Sequence, residues 1–235
     1  IMKPIPIQYA KEMKRRFGYH AIWLPGEKIQ LGDYGIVKDH VFTQIANVKK
    51  HGITFEVRED ETKDSIEYSS ENSVEVTTKL SGETAPIGSV LKDVDAGFIV
   101  QFSRENAVLF KANGTRTISI EDTESLGEEI VELYKRGKWN REYIIITKLV
   151  EAKSSTILIS SGDESKIEIK ANVGIGNQSL DIADAELQLS IRNAKNVDTK
   201  IIAEQGITPL FKAIGLKKRP FQLPVAKYGV FRKTD

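Results

Sequence analysis

Apolar and polar residues exchange places at two different periods along this chain. Residues 8–17, QYAKEMKRRF, set Tyr9, Met13 and Phe17 four apart with Lys11, Lys14, Arg15 and Arg16 over the remaining surface. That spacing predicts a short basic amphipathic helix, ended by Gly18. A second helix is predicted in DTESLGEEIVELYKRGKW: Asp122 or Thr123 caps it, Leu126, Ile130 and Leu133 share a face, and Lys135 and Arg136 precede Gly137.

Elsewhere the period is two, the signature of half-buried strands. ITFEV turns Ile53, Phe55 and Val57 to one side, and SVEVTTKL does the same with Val74, Val76, Thr78 and Leu80. Between them REDETKDSIEYSSEN is acidic enough to predict a solvated loop with a short strand inside it. YHAIWLPGEKIQLGDYGIV passes through the turn signal Pro25-Gly26 to a short strand beginning near Ile29. GFIVQFS and NAVLFKANG, joined by the polar SREN, predict a hairpin, and TRTISIED a further short strand. Tyr143 to Val150 is β-branched and apolar enough for a strand buried on both faces. Three more alternating segments follow, STILIS, SKIEIKANV and DAELQLSIRNA. The last two, with Ile167, Ile169 and Val173 on one arm and Leu187, Leu189 and Ile191 on the other, predict a second hairpin across the bend GIGNQS. Strands far outnumber helices, so the predicted fold is α+β, a mainly antiparallel twisted sheet with a few peripheral helices.

Composition narrows the function classes more than the fold. The 235 residues predict one α+β domain over 1–219, with a basic tail over 220–235 that contains Lys227, Arg232 and Lys233. Thirty-four basic against 33 acidic residues leave a formal charge of +1, so no global attraction to nucleic acid is expected. With no cysteine, disulfides, thiolate metal sites and a cysteine nucleophile are excluded. A mean hydropathy of −0.29 and the lack of any apolar run near the roughly 20 residues of a membrane-spanning helix predict a soluble, cytoplasmic protein.

No complete catalytic motif is present. His20, His40 and His51 form no ligand-spaced pair, and the chain holds no G-x-S-x-G elbow. GDYG around Asp33 is a turn with a local hydrogen bond, DVDAG at 93–97 lacks the later ligands of a calcium loop, and GIGNQS lacks the lysine or third glycine of a phosphate cradle. Neither a cofactor nor a metal is expected, and the chain does not read as an enzyme. Two features need no catalytic centre. Both ends mix cations with aromatic residues, which suits an anionic membrane surface as well as it suits solvated charge beside core anchors. The alternating hairpins approach the roughly 9 to 11 residues with which a strand crosses hydrocarbon.

A basic helix running into GYHAIWLP, then AVLFKANG, a helix ending near ELYKRG, the strand YIIITKLVEAKSST and a late TPLFKAIGL together resemble the gasdermin-type pore-forming proteins, in particular the compact bacterial ones. The resemblance implies an autoinhibited protein that an activating protease cuts near its C-terminus. It then moves to an anionic membrane, inserts hairpins and self-associates into a ring. Lys11, Lys14, Arg15, Arg16 and Phe17 would match the lipid-contacting first helix, and the tail after Pro220 the inhibitory segment. The alternatives are a protein-binding or scaffold module acting through a sheet edge or the acidic segment, and an enzyme whose site is assembled from dispersed residues.

Overall fold

A computed structural model describes residues 4–60, 64–80, 83–85, 96–173, 180–216 and 228–230. They form two α-helices among mostly antiparallel strands, an α+β fold. The first helix, α1, spans Ile5–Phe17, and it is followed by β1 (His20–Ala21), β2 (Asp33–Lys38), β3 (Val41–Asn47), β4 (Val57–Glu59) and β5 (Asp64–Ser69). Next come β6 (Val74–Leu80), β7 (Glu83–Ala85), β8 (Gly97–Phe102), β9 (Val108–Ile120), α2 (Thr123–Lys135) and β10 (Ile144–Ser160). The chain closes with β11 (Ser165–Lys170), β12 (Ser190–Lys195), β13 (Val197–Leu216) and β14 (Tyr228–Val230).

The chain divides into two compact units, the first made of residues 1–9, 63–115 and 152–207, the second of 10–62, 116–151 and 208–235. In the first, a five-stranded antiparallel sheet runs in the order β12-β11-β8-β6-β7. Its buried face carries Phe98, Val100 and Phe102 of β8 beside Ile167 and Ile169 of β11, and Leu109, Leu158 and Leu187 belong to the same core. In the second, strands follow the order β1-β13-β10-β2-β3, with β14 on β13 and β4 on β9. Its core joins Tyr34, Phe42, Ile144, Ile145 and Phe211 with Leu126 and Ile130 from α2.

Both helices have local causes. The first extends three residues earlier than its apolar spacing predicts, because Pro4 and Pro6 fall where a helix needs no N–H donor; Pro4 O accepts from Ile7 N at 3.0 Å and Gln8 N at 3.2 Å. Asp122 caps α2, accepting from Ser125 N at 2.9 Å and Glu124 N at 3.0 Å. The Ser125 hydroxyl bond, ahead of these amide bonds, holds the Asp122 carboxyl below its ordinary range. At the other end Gly137 takes φ 69°, and Lys138 N donates to Leu133 O at 2.9 Å, satisfying carbonyls the last turn leaves open.

Several strands differ from their pattern. The two segments Tyr143–Val150 and STILIS are one 17-residue strand, β10, whose apolar triplets 144–146 and 157–159 are both buried. In the polar stretch between them Thr156 finds side-chain partners, while the buried Ser155 hydroxyl has none among the described residues. Thr156 Oγ1 donates to Ile182 O at 2.6 Å and accepts from Ala203 N at 2.8 Å. NAVLFKANG and TRTISIED are likewise one strand, β9, passing through Gly114 at φ 56°. The predicted hairpin of GFIVQFS with NAVLFKANG does not form: β8 pairs with β6 and β11, while β9 pairs with β4, β5 and β10. The SREN link binds elsewhere, Ser103 N to Ser73 O and Asn106 N to Ser160 O. ITFEV yields a strand only from Val57, and Val57 is 51 % exposed, so the predicted inward face ends at Phe55. The strand expected near Ile29 begins at Asp33. PLFKAI falls within the 20-residue β13.

Candidate functional site

The residues nominated for membrane contact lie on α1, where the structure separates them into two groups. Tyr9, Ala10, Glu12 and Met13 are buried. Lys11, Arg15 and Arg16 project to solvent on the other side, and Phe17 is half-buried. Lys14 is half-buried and works as a cap: its Nζ donates to Gly18 O at 3.3 Å and lies 3.3 Å from His20 Nε2. His20 in turn stacks on Phe211 of β13 at 5.4 Å, and beside it Lys212 Nζ sits 4.5 Å over the Tyr19 ring. This anchoring of the helix end by β13 residues has no local signal in the sequence.

Among the described residues Lys11, Arg15 and Arg16 have no ion-pair partner. Lys11 and Arg15 are four residues apart on one helix face, where like charges repel by a few tenths of a kcal/mol, roughly 0.2–0.5. The cations do lie near the helix C-terminus, where the macrodipole favours them. Local packing accounts for Lys14, and leaves the other three as a solvent-facing cationic patch.

The nominated hairpin residues are divided differently. Ile167 and Ile169 on β11 are buried in the first unit, at positions facing Ala194 and Ile191 of β12. Leu187 is buried as well, but in a 3-10 turn, Ala185–Leu187, that Asp184 caps by accepting from Glu186 N at 2.9 Å. The second arm therefore begins at Ser190, six residues after the start of the pattern, and its alternation is broken at Gln188, which takes a left-handed conformation. Leu189 is half-buried and Ile191 is 43 % exposed. Val173 lies beyond the end of β11 and is 37 % exposed. The bend GIGNQS lies outside the described residues.

Among the described residues, an aromatic cluster in the second unit brings a tyrosine hydroxyl and a histidine together. Tyr34 Oη and His51 Nε2 are 3.1 Å apart, and Trp139 and Tyr143 pack against Tyr34 with ring centroids at 4.7 and 5.3 Å. Burial, and then the neighbouring Tyr143, push the Tyr34 hydroxyl above its ordinary value, so it stays protonated. His51 meets no carboxylate among the described residues, and the rings leave no space between them for a substrate. The arrangement packs a core. Asp33 of GDYG is buried and fixes its own loop, accepting from Gln30 N at 2.8 Å and from Asn47 Nδ2 at 2.9 Å. Most of DVDAG lies outside the described residues. Among those described no group of three His, Cys, Asp or Glu side chains could hold a metal, and no helix is long and apolar enough to cross a membrane. No protein-family model and no curated protein matches the chain.

Proposed function

We propose that the chain is a non-enzymatic membrane-acting protein, a gasdermin-like pore former held in its folded state until its C-terminal tail is released. The observation that carries this reading is the solvent-facing patch of Lys11, Arg15 and Arg16, three cations without ion-pair partners among the described residues. Near an anionic bilayer each cation contributes about 1 kcal/mol, so the patch that is mildly costly in water becomes favourable at a membrane. The tail offers further support. Its strand β14 lies antiparallel on the end of β13, with Ile214 opposite Val230 and Leu216 opposite Tyr228, an attachment of three residue pairs that a cut could loosen. The six residues of β11 fall short of the roughly 9 to 11 a crossing strand requires, so insertion demands that Ile167 and Ile169 leave their core and the strand lengthen.

The test is dye release from anionic liposomes by the intact chain and by the chain cut at a protease site introduced within residues 217–227. Release is expected only after the cut. Tail-free protein that leaves anionic liposomes sealed sinks the proposal.

A second reading, a protein-binding module that adds a partner strand, is favoured by β12, whose residues are exposed except for half-buried Ala194. Its measurement is pull-down of a stoichiometric partner that is lost when Arg192 and Lys195 are exchanged for glutamate.

A further inference from the structure

In the first unit, the ends of β6, β8 and β11 lie side by side and enclose a groove of about 420 Å³. That volume lies within the roughly 300–1,000 Å³ typical of small-molecule sites. Register places Glu75 opposite Gln101 and Gln101 opposite Lys166 across it, and continues the row one strand beyond the groove lining to Lys195, opposite Lys166. The row thus reads acid, amide, cation, cation on the face opposite the core. Phe102, whose side chain is buried in the core, is also among the residues that line the groove.

Packing leaves two things in this row unexplained. Lysines 166 and 195 stand directly opposite one another on neighbouring strands, a like-charge pairing that destabilises a sheet unless an anion lies between. Glu168, 3.1 Å from Lys166 Nζ on the same strand, offsets one of the two charges. At the other end Glu75 and Gln101 make no side-chain hydrogen bond or ion pair among the described residues.

We propose that this groove binds a small zwitterion with a primary ammonium and a phosphate joined by a two-carbon link, the chemistry of phosphoethanolamine. Two strand spacings of about 4.8 Å separate Glu75 from Lys166. Measured between the backbones, an ammonium bonded to the carboxylate and a phosphate oxygen bonded to the lysine, each at about 2.8 Å, leave about 4 Å, which a bent N–C–C–O–P–O path spans. The Gln101 amide lies midway, able to accept from the ammonium and to donate to the phosphate. The other carboxylate of the lining, Glu164, lies on the lysine side, two residues before Lys166, and so opposes the phosphate. A simple amine would use both carboxylates, whereas the zwitterion uses Glu75 and works against Glu164. This site goes beyond the pore-forming reading and stands without it, since a soluble ligand reports on it in the absence of any membrane.

The experiment is calorimetric titration of the intact chain with phosphoethanolamine, ethanolamine and inorganic phosphate. Phosphoethanolamine is expected to bind at least about tenfold more tightly than either half, the scale of one charge-assisted hydrogen bond. Glu75→Gln and Lys166→Met should each weaken it by a similar factor, Glu164→Gln should not weaken it, and all three variants should keep the wild-type circular dichroism. Binding no tighter than that of the separate halves, or binding unchanged in both Glu75→Gln and Lys166→Met, overturns the proposal. Vesicles separate the two sources of this chemistry. Attachment to phosphatidylethanolamine but not phosphatidylcholine vesicles, lost in Glu75→Gln, assigns a lipid headgroup. Saturable binding of the free compound with no vesicle preference assigns a soluble ligand, and either result sustains the site.

Discussion

At Gly35 and Gly97 one methyl group decides whether two strands can pair. A Cβ on Gly35 would overlap the backbone carbonyl of Thr43, and one on Gly97 the carbonyl of Ile169. Neither oxygen belongs to a side chain that could swing aside, so Gly35→Ala and Gly97→Ala must push strands apart. Each is expected to lower stability by about 3 kcal/mol, the upper part of the overpacking range, read as a lower urea midpoint. An unchanged midpoint would mean that the strands do not approach so closely. Both glycines appear in the sequence inside ordinary strand patterns, GDYGIV and GFIVQFS, where nothing local marks them as contact points. Lys14 is a similar case. Spacing groups it with Lys11, Arg15 and Arg16, and only the position of His20 and Gly18 turns it into a cap.

At the scale of elements, the helices were legible and the strand lengths were not. Capping by Asp122, the spacing of Leu126 and Ile130 and the stop at Gly137 are all satisfied within one helix, so the sequence window contains its own explanation. A strand's hydrogen bonds go to distant residues, and β10 continues through the buried Ser154, Ser155 and Thr156 while Thr156 bonds to Ile182 and Ala203, far along the chain. The pattern DAELQLSIRNA fails for a related reason, since Asp184 starts a turn within a stretch whose alternation is otherwise correct. For α1 a measurable consequence follows from its two faces. Replacing Lys11, Arg15 and Arg16 together by glutamine should weaken binding to anionic vesicles by about 3 kcal/mol, roughly a hundredfold, in vesicle sedimentation. Because the three side chains are exposed, thermal stability should stay within about 0.5 kcal/mol of wild type. Equal vesicle binding by the variant would remove α1 from the membrane reading.

At the scale of the whole molecule, the tail is joined to the sheet by β14 alone among the described residues, which makes its attachment separable from the rest. Truncation after Arg219 should speed amide exchange at Ile214 to Leu216, while the β8–β11 ladder exchanges as before; exchange mass spectrometry reads both. Equal protection at 214–216 would show that β14 contributes nothing to that edge. The groove row of Glu75, Gln101 and Lys166 also belongs to this scale, because its members come from three strands and meet only through register. By itself the sequence determined the two periods, and through them the α+β class, the core of α2 and the basic side of α1, because each is a relation between residues a few positions apart. Only the tertiary structure decided where β9, β10 and β13 run on, which strands pair, and which charges share a groove. Alternation says that one face is dry without saying what dries it, and a ladder between distant segments leaves no mark in either of them alone.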